Sequence, residues 1–141
     1  MNAVPQNRVL VSLLVGIVLL LASSGVPRAQ QSPVVKSVVT FGKSVKPSGT
    51  EVTVSFDALV EDSRCPTGAN CIWAGDAAVV ISVSTPGASS GKYTLHSSSQ
   101  FVHEVEHDGN RVTLLEVAPY PVAGAVHKPQ EYVITLSIKR K

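Results

Sequence analysis

From Pro33 to the C-terminus the apolar residues recur at every second position, which is the period of a strand with one buried face. In Tyr132-Val133-Ile134-Thr135-Leu136-Ser137-Ile138, the side chains of Tyr132, Ile134, Leu136 and Ile138 share one side, and Thr135 and Ser137 share the other. A helix would scatter these residues around its axis; a pleated strand sorts them. Val52, Val54 and Phe56 alternate with Thr53 and Ser55 in the same way, as do Val79, Ile81 and Val83 with Ser82 and Ser84. Weaker alternation marks 34–45, 92–95, 100–106 and 111–117 as further strands. Between them lie residues suited to turns. Asp108-Gly109-Asn110 tolerates positive φ and predicts a tight hairpin, while Pro47-Ser48-Gly49 and the run from Pro86 to Gly91 predict longer loops. Pro119-Tyr120-Pro121 removes two backbone donors and must end the strand before it. Six or seven short strands predict an all-β domain: a small antiparallel β-sandwich, with a small β-barrel as the alternative.

The N-terminus has a different character. After Asn7-Arg8, the stretch Val9 to Ala22 runs for fourteen residues without a charge. That suits the apolar core of a signal peptide, whereas a spanning helix needs about 20 residues. Small and helix-breaking residues follow, from Ser23 to Ala29. The expected organisation is therefore a signal peptide over 1–29 and one all-β domain over 30–141, exported to the periplasm or the medium; retention as an N-terminal anchor is the other reading. No cysteine closes the apolar run, so lipid attachment is not expected. Without the leader, about 112 residues remain, enough for one modest core. Ten basic residues then face ten acidic ones. With Lys139-Arg140-Lys141 as the single basic cluster, no nucleic-acid partner is expected, and after signal cleavage no membrane contact and no cofactor.

The two cysteines, Cys65 and Cys71, are expected to form a disulfide in an exported chain. Closing so short a loop stabilises the fold by about 2.4 kcal/mol through the entropy of the unfolded chain. They lie in the segment Glu61 to Gly75, with the only tryptophan, Trp73. The string Asp62-Ser63-Arg64-Cys65-Pro66, followed by Cys71-Ile72-Trp73-Ala74-Gly75, resembles a family of uncharacterised bacterial secreted domains and lipoproteins, as do Pro119-Tyr120-Pro121 and the closing strand. The resemblance covers roughly 50–139 and implies export and a compact β domain; it brings no activity with it. Two readings of the segment stand side by side. In one, a pre-ordered loop displays Asp62, Arg64 and Trp73 to a partner. In the other, Trp73 packs into the core beside the disulfide while Asp62 and Arg64 pair with each other or with loop backbone.

His103-Glu104-Val105-Glu106-His107 matches the zinc-protease pattern His-Glu-x-x-His, which depends on a helix. There the two histidines stand about 6 Å apart and share an ion. On a strand the same spacing is about 13 Å, too far for one ion. With the Asp108-Gly109 turn directly behind it, the motif reads as the polar end of a hairpin strand. Serines occur outside any Gly-x-Ser-x-Gly context, and the acid pairs Glu61-Asp62 and Glu104 with Glu106 have the spacing of a solvated surface. The functional expectation is a non-enzymatic module that binds an envelope or extracellular protein partner. Its alternatives are a periplasmic zinc or copper binder using His96, His103, His107 and His127, and a zinc hydrolase using His103, Glu104 and His107.

Overall fold

The computed structural model describes residues 32–141, so the signal peptide expected over 1–29 lies outside the described residues. Eight strands follow one another: β1 (Val34–Thr40), β2 (Ser44–Val45), β3 (Thr53–Asp62), β4 (Ala77–Ser84), β5 (Gly91–His96), β6 (Glu104–His107), β7 (Asn110–Ala118) and β8 (Val133–Arg140). A single 3-10 turn, Pro129–Glu131, precedes β8 among the described residues. Every strand pairing is antiparallel. The strands form two four-stranded sheets, ordered β1-β8-β7-β6 and β2-β3-β4-β5, which do not close on each other. The fold is thus the sandwich and not the barrel.

The predicted alternation supplies the core. Val52, Val54 and Phe56 from one side of the sandwich, with Val79, Ile81 and Val83, meet Ile134, Leu136 and Ile138 from the other, all at 1% exposure or less. Their burial removes the apolar surface that drives folding, at about 25 cal/mol per Å². The sequence reading joined 34–45 into one strand. The chain instead turns at Gly42, whose N–H donates to Phe56, and so passes from one sheet to the other. The region 100–106 likewise forms a strand only from Glu104. Between β6 and β7, Asp108 (φ 46°) and Gly109 (φ 69°) are both left-handed, the requirement of the two-residue turn that matches strand twist.

Two bulges interrupt β3 on the way to the site. Phe56 stands opposite Ile81, but Ala58 stands opposite Val80, so Asp57 is an extra residue and Leu59 takes the inward place against Val79. A second extra residue, Val60, restores the original parity, and Asp62 faces inward opposite Ala77. Val60 is consequently exposed and Asp62 is not. In β7, Leu115 is the extra residue by the same logic: Leu114 and Val117 point inward while Leu115 is turned to solvent.

Candidate functional site

The inward turn of Asp62 would strand a carboxylate in the core without a partner, and Arg64 supplies one. Its guanidinium donates to Asp62 from Nε at 2.7 Å and from Nη2 at 2.6 Å. The other side-chain nitrogen, Nη1, donates to the Val117 carbonyl, and Nη2 also reaches the Pro119 carbonyl at 2.9 Å. The Tyr132 hydroxyl donates to Asp62 Oδ2 at 3.1 Å. Both members of the ion pair are at least nine-tenths buried. Burial pushes the Asp62 carboxyl up, but the hydrogen bonds and charge of Arg64 and the hydroxyl of Tyr132 outweigh it and hold the group below its ordinary value. Burial, with the adjacent Asp62 charge, raises Tyr132. Together Arg64 and Asp62 tie the end of β3 in one sheet to the end of β7 and to Tyr132, just before β8, in the other, with the Tyr120 ring 4.8 Å from the guanidinium.

Beyond Asp62 the β3–β4 hairpin continues as a narrow ladder. Ser63 N–H donates to Asp76 at 2.7 Å and Cys65 N–H to Ala74 at 2.8 Å. Gly75 makes this approach possible: its φ is 73°, and a Cβ there would lie 1.8 Å from the Ser63 carbonyl oxygen. The Cys65–Cys71 disulfide forms as expected and closes the hairpin tip. The tip then leans on the β7–β8 connection, where Thr67 pairs with Val122 in a parallel bridge, donating to Pro121 at 2.9 Å and accepting from Ala123 at 3.0 Å.

A second buried acid anchors the neighbouring loop. Asp76, 6% exposed, accepts from the Ser97 hydroxyl at 3.0 Å, the Ser98 N–H at 2.8 Å and the His96 ring. Burial raises this carboxyl, but those three donors prevail and hold it low. The residue fixes the β5–β6 connection, 97–103, to the root of the hairpin. Sequence reasoning passed over Asp76 because nothing in its local pattern distinguishes it from a surface acid.

Of the residues expected to form a binding loop, Asp62 and Arg64 are taken up inside the fold, where they pair as the second sequence reading required. Trp73 follows neither the same path nor that reading. It is 77% exposed and its neighbour Ile72 is 93% exposed. Around them at the same pole stand Phe101 and Val102 from the β5–β6 loop, and Tyr120, Val122 and Val126 from the β7–β8 loop, all exposed. At the opposite pole a cleft of about 560 Å³ is lined by Thr50, Glu51, Thr85, Asp108 and Arg140 among others.

The histidine motif lies on a strand. Glu104–His107 is β6, with His103 just before it. The His103 ring hydrogen-bonds the Phe101 carbonyl at 3.3 Å, and the His107 ring hydrogen-bonds the Tyr93 hydroxyl at 2.9 Å. His96 is engaged with Asp76, and His127 with Glu131 at 3.3 Å. Among the described residues no three His, Cys, Asp or Glu side chains gather as a metal site would require. No family model, no curated protein and no solved structure matches the chain.

Proposed function

We propose that the chain is an exported, non-enzymatic β-sandwich module that binds an envelope partner through the pole carrying the Cys65–Cys71 hairpin tip. One observation carries this reading: among the described residues, seven of the eleven large apolar side chains that are exposed lie in the three loops of this pole. Monomeric proteins rarely gather exposed apolar surface in this way unless something covers it. Rigidity supports the same conclusion, because a tip held by a disulfide, by Arg64 and by the Thr67–Val122 bridge loses little conformational freedom on binding. Within the pole Trp73 and Ile72 make the contact, while Asp62 and Arg64 hold them in place. The disulfide agrees with an oxidising compartment.

The test is a photo-crosslinking amino acid placed at position 73 or 126 in the producing cell, with position 51 at the other pole as the control. Adducts with envelope components are expected at 73 and 126 and not at 51. Equal labelling at all three positions, or none at 73, would refute the reading.

A further inference from the structure

The end of the sandwich opposite Trp73 holds charge that the fold itself does not compensate. There the inward row of each central strand changes character at one level. Ile138 of β8 is followed two residues on by Arg140 and Val83 of β4 by Thr85, while Val112 of β7 is preceded by Asn110 and Val52, at the start of β3, by Thr50. These four polar residues come from both sheets, and all of them line the cleft of about 560 Å³. Val35, Pro86 and Ile138 supply its apolar wall. A cleft of this size suits a small molecule.

Three charged side chains border the cleft: Glu51, Asp108 and Arg140. Glu51 is neutralised by Lys46 at 2.7 Å. Asp108 is held in place by the hydroxyl of the buried Thr85, which donates to Oδ2 at 2.7 Å. That bond fixes the carboxylate without balancing its charge. Among the described residues Asp108 has no ion-pair partner, and neither has Arg140. A carboxylate and a guanidinium therefore line one cleft without meeting each other.

We propose that this cleft binds a small zwitterion: an amino acid or short peptide with free termini and an apolar side chain. The ligand's carboxylate takes the Arg140 fork, its ammonium group takes Asp108, and its side chain lies against Val35, Pro86 and Ile138. A simple anion is attracted by Arg140 and repelled by Asp108, and a simple cation the reverse. An uncharged ligand leaves both groups unpaired. A molecule that carries both signs satisfies both, and discriminates against all three competitors. The site is separate from the Trp73 pole and does not depend on the binding proposed there.

The test is an amide NMR titration of the isotope-labelled chain, as the cell processes it, with leucine and in parallel with leucyl-leucine. N-acetyl-leucine amide, which has the same side chain and no charge, is the control. Millimolar leucine or leucyl-leucine should shift the amides of Thr50, Thr85, Asn110 and Arg140, and the tighter of the two ligands tells whether an amino acid or a peptide is preferred. The control should leave these amides in place. Arg140→Gln and Asp108→Asn should each weaken binding by about tenfold or more, the loss of one charge-assisted contact. Asparagine tolerates the left-handed φ of 46° at position 108, so that variant keeps the turn, and unchanged amide signals in the core show that both variants remain folded. No shift with either zwitterion, equal shifts with the uncharged control, or variants that bind as tightly as the parent would overturn the proposal.

Discussion

Arg64 and Asp62, two residues apart on one chain segment, form a doubly hydrogen-bonded ion pair inside the sandwich, and the same guanidinium reaches backbone carbonyls of the facing sheet. The pair acts as a rivet between sheets at the pole that displays Trp73. The two extra residues in β3, Asp57 and Val60, cancel in parity, so Asp62 keeps the inner face of Phe56.

Arg64→Ala should lower stability by about 3–5 kcal/mol, because it leaves the Asp62 carboxylate buried without its partner and strands two carbonyls. Arg64→Lys should fall between, since a lysine keeps the charge and loses the fork. Urea unfolding of the three proteins checks this; a loss under about 1 kcal/mol for the alanine variant would show that the rivet contributes little.

Acid should weaken the fold in a defined window. The carboxyls of Asp62 and Asp76 are both held below the value of 3.8 that they have when unfolded. The stability they contribute is therefore complete above that value and is lost as the pH falls through their lower folded values, since the unfolded chain takes up protons first. Stability measured from pH 6 down to pH 2 should drop below about pH 4. Asp62→Asn and Asp76→Asn should each reduce the drop, while lowering stability at neutral pH.

Opening the disulfide should be tolerable to the fold. Replacing Cys65 and Cys71 together by serine should remove about 2 kcal/mol and leave the circular dichroism spectrum of the sandwich unchanged, because the core lies elsewhere. Trp73 should at the same time become more mobile, which fluorescence anisotropy reads.

Gly75→Ala should cost about 2–4 kcal/mol, since the new methyl would meet the Ser63 carbonyl and the residue would keep a left-handed φ. Thermal unfolding measures the loss. Gly109→Ala has open space around its Cβ and carries only the backbone strain, so its effect should be about 1 kcal/mol.

Trp73→Ala should change stability by less than about 0.5 kcal/mol, because the ring is 77% exposed. A larger loss in urea unfolding would mean that the indole packs into the protein, and the exposed pole would shrink accordingly.

The strands and the turn at Asp108-Gly109 were legible because each depends on neighbours in sequence: alternation assigns a face, and Asp-Gly supplies left-handed φ. The join of 34–45 was misread because the turn at Gly42 is made by a bond to Phe56, a contact the local pattern does not contain. The same limit governed the site. That Asp62 and Arg64 would pair with each other was readable as one of two choices. That they would do so inside the fold depended on partners from the facing sheet and its connection, the Val117 and Pro119 carbonyls and the Tyr132 hydroxyl, none of which is near them in sequence.

Sequence alone determined the all-β class, the core face of β3, β4 and β8, and the sulfur bridge of the β3–β4 tip, because pleat period and loop closure act over a few residues. Only the tertiary structure decided that Asp62 and Arg64 pair inside the fold while Trp73 turns outward, and that three loops distant in the chain meet at one end of the sandwich. The reason is physical: burial is settled by what the opposite sheet brings to each residue, and no residue's neighbours in sequence carry that information.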